Sequence, residues 1–195
     1  MLTNLNSINL TVAGFKLQII SDVVSFPIAL EKGYLSFESG NISQPDLIVR
    51  AHNFLPDLKR NEVPVFEARE GNETLWKIYF SDNIYKIVTF NPALYNEIQQ
   101  IAICKNNFSE CDVYMNPIKK KESKTEFLCP LLYPLGPLLL YYQTIKTDSI
   151  MIHASGIFDG EKGRLFTGFS GAGKSTISNL WKQNGSILIN DDRLI

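Results

Sequence analysis

The sequence predicts an α/β chain, with a β-rich N-terminal domain over 1–126 and the first part of a strand–helix–strand domain over 127–195. Three observations predict it. Runs at Pro64 to Glu70, Thr74 to Phe80 and Ile84 to Phe90 are separated by the turn-forming connectors Gly71-Asn72-Glu73 and Ser81-Asp82-Asn83, and so read as a meander. Residues 168–175 read Gly-Phe-Ser-Gly-Ala-Gly-Lys-Ser, a glycine-rich turn between the short strand Arg164 to Thr167 and a helix. Beyond it, Ile177, Leu180 and Trp181 recur at i, i+3 and i+4, as one face of an amphipathic helix does, and Asn184-Gly185 ends that helix before the apolar strand Ser186 to Asn190.

Along the N-terminal part, Ile8, Leu10 and Val12 alternate, and the phase resumes after Gly14 at Phe15, Leu17 and Ile19, as in a bent or bulged strand. Leu47 to Arg50 adds a strand, with weaker candidates at Ile98 to Cys104 and Cys111 to Met115. Such a sheet suits a partner-binding or regulatory domain, or a structural cover for the C-terminal domain. Lys119-Lys120-Lys121 and Lys124 form the one charge run and mark a solvated linker. The stretch Phe127 to Tyr142 is almost wholly apolar, but it is too short for a membrane span and is interrupted by Pro130, Pro134 and Pro137. It predicts an extended lead into a buried helix from about Pro137 to Ile145, packed on the C-terminal sheet. Tyr141 and Tyr142 read as core or interface residues, and His52 receives no functional role.

The chemistry is concentrated near the C-terminus. Residues 168–175 fit Gly-x-x-x-x-Gly-Lys-[Ser/Thr], a phosphate-binding loop. Its glycines let several backbone N–H groups converge on phosphate oxygens, and the following helix adds its free donors and positive dipole end. Lys174 would lie against the outer phosphates and the Ser175 hydroxyl would ligate Mg²⁺. Strand, loop, helix and strand form a crossover unit with both strands parallel, so the loop and the carboxylates of Asp191 and Asp192 meet at one sheet edge. An acidic pair after a strand is ordinarily a turn or a helix cap; here it stands where a metal ligand and a general base are wanted. Asp159 to Gly163 reads as a tight reversal between Ser149 to Phe158 and Arg164 to Thr167. Pairing Phe158 with Arg164 then sets His153 opposite Phe169, at the loop's mouth. A lone strand histidine is more often structural, but this one falls within reach of the phosphates or metal, which sets a functional role level with the structural one.

Met151-Ile152-His153-Ala154-Ser155-Gly156, Thr167 to Ser175 and Asn190-Asp191-Asp192-Arg193, in this order and spacing, resemble the HPr kinase/phosphorylase catalytic domain. The likeness extends more distantly to ATP-dependent phosphoenolpyruvate carboxykinase. It covers 149–195, about the last quarter of the chain. The resemblance implies a domain of that fold in which Gly168, Phe169, Ser170, Gly171, Ala172, Gly173, Lys174, Ser175 and Thr176 bind ATP. It implies Asp191 as the acid–base carboxylate, Ser175 and Asp192 at the Mg²⁺, and His153 beside the transferred phosphate. One departure stands out: Lys174-Ser175 is followed by Thr176, where HPr kinases usually carry Glu. The match is therefore to the wider HPr-kinase-like group found in many bacteria, and phosphorylation of HPr itself is not expected.

The expected function is an ATP-dependent phosphotransferase acting on a hydroxyl of a protein or small molecule. Carboxykinase chemistry and a non-catalytic nucleotide-binding regulatory module are the alternatives. At 195 residues, 45% hydrophobic and net charge −1, the composition is that of an ordinary globular protein and gives no sign of nucleic acid or an anionic membrane as partner. Homo-oligomerisation is left open. Cys104, Cys111 and Cys129 are odd in number and lack a metal-ligand spacing, so they read as reduced thiols in a cytoplasmic protein. Because Asp191 and Asp192 come so close to Ile195, the chain is expected to be a C-terminal truncation and weak or inactive alone.

Overall fold

A computed structural model describes residues 6–21, 23–58, 62–119 and 125–195. The chain is mixed α/β and strand-rich, and divides into two units, Met1–Gln143 and Thr144–Ile195. The division falls later than the linker expected at 126/127; Lys120, Lys121 and Lys124 of the basic run lie outside the described residues.

In the first unit, β1 (Asn6–Val12), β2 (Phe15–Ser21), β3 (Leu47–His52), β4 (Phe66–Glu70), β5 (Glu73–Ser81), β6 (Ile84–Asn91), β7 (Leu94–Lys105) and β8 (Glu110–Tyr114) form one mixed sheet. Its order is β1-β2-β3-β8-β7-β6-β5-β4. The expected meander is present as the antiparallel run β4–β5–β6, and β2–β3 and β3–β8 are parallel pairs. The bent strand expected at 8–19 is instead a hairpin. Ala13 (φ 49°) and Gly14 (φ 87°) form a two-residue turn, which sets Val12 opposite Phe15. Two residues with positive φ give a tight turn whose twist matches the flanking strands, and the alternation then continues on the same face. Two short strands, β9 (Ile118–Lys119) and β10 (Glu126–Phe127), pair separately.

Cys104 and Cys111 lie opposite each other on β7 and β8 and form a disulfide, correcting the expectation of three reduced thiols. The remaining thiol, Cys129, is buried, and burial, aided by the charge of Glu31, pushes its pKa up to about 11. On β3, His52 bonds Asp112 of β8 at 2.8 Å and stacks on Tyr114 at 4.5 Å, a pairing within the sheet.

The helix α1 (Leu135–Thr144) begins two residues before Pro137 and belongs through Gln143 to the first unit, whereas the sequence assigned it to the C-terminal domain. Leu135 and Leu139 are fully buried, Tyr142 stacks on Phe108 with ring centroids 4.0 Å apart, and Gln143 donates to the Phe108 carbonyl at 2.9 Å. The side chain of Gln100 on β7 fixes the preceding segment by donating to the carbonyls of Cys129 and Pro130 at 3.0 and 3.2 Å. Those tertiary bonds claim 127–143 for the first unit.

In the second unit, β11 (Ile152–Phe158) is flanked by β12 (Gly163–Thr167) on one side and β13 (Ile187–Asn190) on the other, both antiparallel to it. β12 and β13 therefore run parallel to each other, as the crossover predicts, with β11 between them and α2 (Lys174–Gln183) connecting them. A last short strand, β14 (Arg193–Leu194), pairs with the start of β11. The face by which α2 docks differs from the expected apolar stripe. Ser178 is its buried residue, hydrogen-bonded to Ser155 of β11, while Ile177 and Leu180 are 37% and 49% exposed. Small hydroxyl side chains on both elements allow the helix to approach the strand through Ser178, which turns the larger side chains away. Arg164 covers the Trp181 ring at 5.1 Å.

The hairpin register is one residue from the expected one: Phe158 faces Gly163 and Ile157 faces Arg164. Asp159 sets it. Its carboxylate accepts from the N–H groups of Lys162 at 2.7 Å and Glu161 at 2.9 Å, and from Arg164 Nε at 2.6 Å, so the turn closes over 159–162. The two backbone donors, helped by Arg164, lower the Asp159 pKa from 3.8 to about 2. A carboxyl with a lowered folded pKa stabilises fully above its ordinary value, and that contribution disappears as pH falls through the folded value. The Glu161 and Lys162 amide resonances should accordingly hold their positions down to pH 3.8 and shift together toward about 2, and Asp159→Asn should remove that transition.

Candidate functional site

The loop between β12 and α2 has the backbone its glycines permit. Gly171 and Gly173 sit at φ 82° and 86°, and Gly173 is the residue from which α2 starts. A side chain at Gly173 would meet no neighbour, so the requirement there is conformational only. Left-handed backbone costs an L-residue about 1–2 kcal/mol. Gly173→Ala is therefore expected to leave both units folded and to weaken triphosphate binding up to roughly tenfold, as read by titration calorimetry.

The loop, the helix start, β11 and the end of β13 surround a cleft of about 310 Å³ lined by His153, Ser170, Gly171, Gly173, Lys174, Ser175, Thr176 and Asp191. Six of the nine residues expected to hold ATP line it, as do the three given catalytic roles, Lys174, His153 and Asp191. Gly168, Phe169 and Ala172 do not line it, and Phe169 is 83% exposed. Lys174 Nζ donates to the carbonyls of Gly168 at 3.0 Å and Phe169 at 3.2 Å, so the ammonium group bridges the loop that carries it.

The two carboxylates separate. Asp191 lines the cleft, whereas Asp192 does not: its carboxylate is ion-paired with Arg193, and its backbone carbonyl accepts from Ala154 N–H at 3.1 Å. His153 reaches the cleft by a different route from the expected one. Its strand partner is Arg193 of β14, because the hairpin register is shifted and β14 adds to that edge of β11.

The residue missed at the sequence level is Asn190. Its Oδ1 accepts from Asp191 N–H at 2.8 Å and its Nδ2 donates to the Arg193 carbonyl at 2.7 Å. The signal was an asparagine at a strand end directly before two aspartates, a residue type that hydrogen-bonds local backbone and builds bends.

Among the described residues there is no cluster of three or more His, Cys, Asp or Glu fit to hold a metal. The cleft offers one carboxylate and the hydroxyls of Ser170, Ser175 and Thr176. That donor set suits Mg²⁺ arriving with phosphate oxygens, since Mg²⁺ is commonly held by one or two carboxylates plus substrate phosphates. No family model, curated protein or solved structure matches the chain. Among the described residues no helix is long and apolar enough to cross a membrane.

Proposed function

We propose that the cleft binds the phosphates of ATP and that the protein is a phosphotransferase of the HPr-kinase-like group. Its acceptor would be a hydroxyl of a protein or small molecule. The observation that carries this reading is the convergence of Lys174, Ser175, His153 and Asp191, drawn from three separate elements, on one cleft at the N-terminus of α2.

The loop N–H groups and Lys174 hold the outer phosphates and offset their charge. Ser175 would hold Mg²⁺ beside the Asp191 carboxylate, and the ion would supply charge neutralisation to the phosphates. The acceptor oxygen forms a bond to the γ-phosphorus as the bond from that phosphorus to the bridging oxygen breaks, leaving ADP. The acceptor proton passes to Asp191, the carboxylate that lines the cleft; His153 is the other titratable group beside it able to take a proton. Lys174 moves from the Gly168 and Phe169 carbonyls to the phosphates. ATP as the donor argues, in this reading, for the cytoplasm, and the Cys104–Cys111 disulfide argues against it.

Single-turnover incubation with γ-labelled ATP, using excess protein, tests the proposal. Stoichiometric ADP, with label in phosphate or in an acceptor, is the expected result. Tight ATP binding without any bond cleavage would instead favour a nucleotide-sensing module.

A further inference from the structure

We infer that Asn190 is a positioning residue of the phosphate cleft: its side-chain amide builds the bend that turns Asp191 into the cleft and leaves Asp192 outside. The inference rests on the phosphate-binding reading above and extends it to the metal preference of the site.

The bend lies between two anchors in the sheet. β13 and β14 both pair with β11, with Asn190 opposite Gly156 and Arg193 opposite His153. The two anchors keep one register against β11, and between them Asp191 and Asp192 form a bend in which the Asp192 carbonyl keeps its bond to Ala154 N–H. Asn190 closes the bend from both sides, accepting from Asp191 N–H and donating to the Arg193 carbonyl. A primary amide can accept and donate at once; a carboxylate of the same shape can only accept, and an alkyl group can do neither. With the bend closed, the Asp192 carboxylate is taken by Arg193 and Asp191 is presented to Lys174 and Ser175.

This placement has a consequence of charge. An ionised carboxylate in a cleft that receives polyphosphate repels it, and a divalent cation between the two reverses the sign. Asp191 thus makes the site prefer magnesium-bound ATP to free ATP, and Asn190 sets that preference by holding Asp191 in place.

Titration calorimetry of the full chain with ATP, once in magnesium and once in EDTA, gives the preference as a ratio of two affinities. Wild type is expected to favour the magnesium complex by about tenfold or more. Asp191→Asn should bind free ATP more tightly than wild type and bring the ratio to within about threefold of unity. Asn190→Ala and the similarly shaped Asn190→Leu should lower the ratio in the same direction with Asp191 still present. Asp192→Asn should leave it within about twofold of wild type, because Arg193 already neutralises that carboxylate.

A merely structural role for Asn190 predicts that both affinities fall together and the ratio stays put, which overturns the inference. A ratio that collapses in Asp192→Asn and survives in Asp191→Asn also overturns it, and that result does not depend on either Asn190 variant folding. A wild type that binds ATP in neither condition removes the phosphate-binding reading itself, and this inference with it.

Discussion

Replacing Lys174 with alanine is expected to lower ATP affinity roughly ten- to hundred-fold, the ~1.5–3 kcal/mol that hydrogen bonds to charged groups are worth. The substitution removes the one ammonium group that lines the cleft. Alanine is the strongest helix former, so the first turn of α2 should not suffer from it. The full Coulomb value of the lysine is not lost, because Lys174 bonds the Gly168 and Phe169 carbonyls and phosphate would have to displace those contacts. That exchange is why the expected effect stops near a hundred-fold. Titration calorimetry of the variant checks it, with a thermal melt to show that both units remain folded. Unchanged affinity would mean that phosphates bind elsewhere.

Gly136→Ala should destabilise the first unit by about 1–3 kcal/mol, the usual cost of overpacking a filled site. Helix propensity alone predicts the opposite sign, since alanine in place of a helical glycine gains about 1 kcal/mol. Space decides between them. A Cβ at Gly136 would lie 2.5 Å from the Leu131 carbonyl oxygen and closer still to the Tyr34 hydroxyl. Tyr34 is itself buried, and the Leu131 carbonyl belongs to the backbone that leads into α1 and can move only with it. Urea unfolding followed by far-UV circular dichroism would show the midpoint falling for Gly136→Ala. A midpoint that rises would show that the helix does not sit this close to Leu131 and Tyr34.

The local geometry of the cleft is legible in the sequence because it is carried by short spacings. The glycines that take positive φ, the lysine and serine that open α2, and the carboxylate after the next strand all lie within one crossover unit. His153 was assigned to the right cleft by a hairpin argument whose register was one residue off, since the Asp159 side chain, by capping two amides, draws Gly163 into the strand. Ala13-Gly14 was not recognised as a hairpin turn because alanine rarely supplies positive φ, although the alternation on either side of it was correct.

Other features depended on tertiary partners that pattern alone cannot name. The apolar pattern from Phe127 onward points to the C-terminal sheet, but the bonds from Gln100 and Gln143 hold the stretch in the first unit. The stripe of Ile177, Leu180 and Trp181 predicted the helix correctly but not the face it buries, which is chosen by the close contact of Ser178 with Ser155. Asp191 and Asp192 are chemically identical in the sequence; in the structure the first lines the cleft and the second pairs with Arg193.

The central claim is that residues 168–176 form a phosphate site completed by Asp191 and His153. Amide NMR of the full chain titrated with magnesium-bound ATP tests it most directly. The account predicts saturable shifts concentrated at Gly171, Gly173, Lys174, Ser175 and Thr176, with smaller ones at His153 and Asp191, and their loss in Lys174→Ala. Shifts confined to the first sheet, or none at all in the loop at saturating nucleotide, would contradict it.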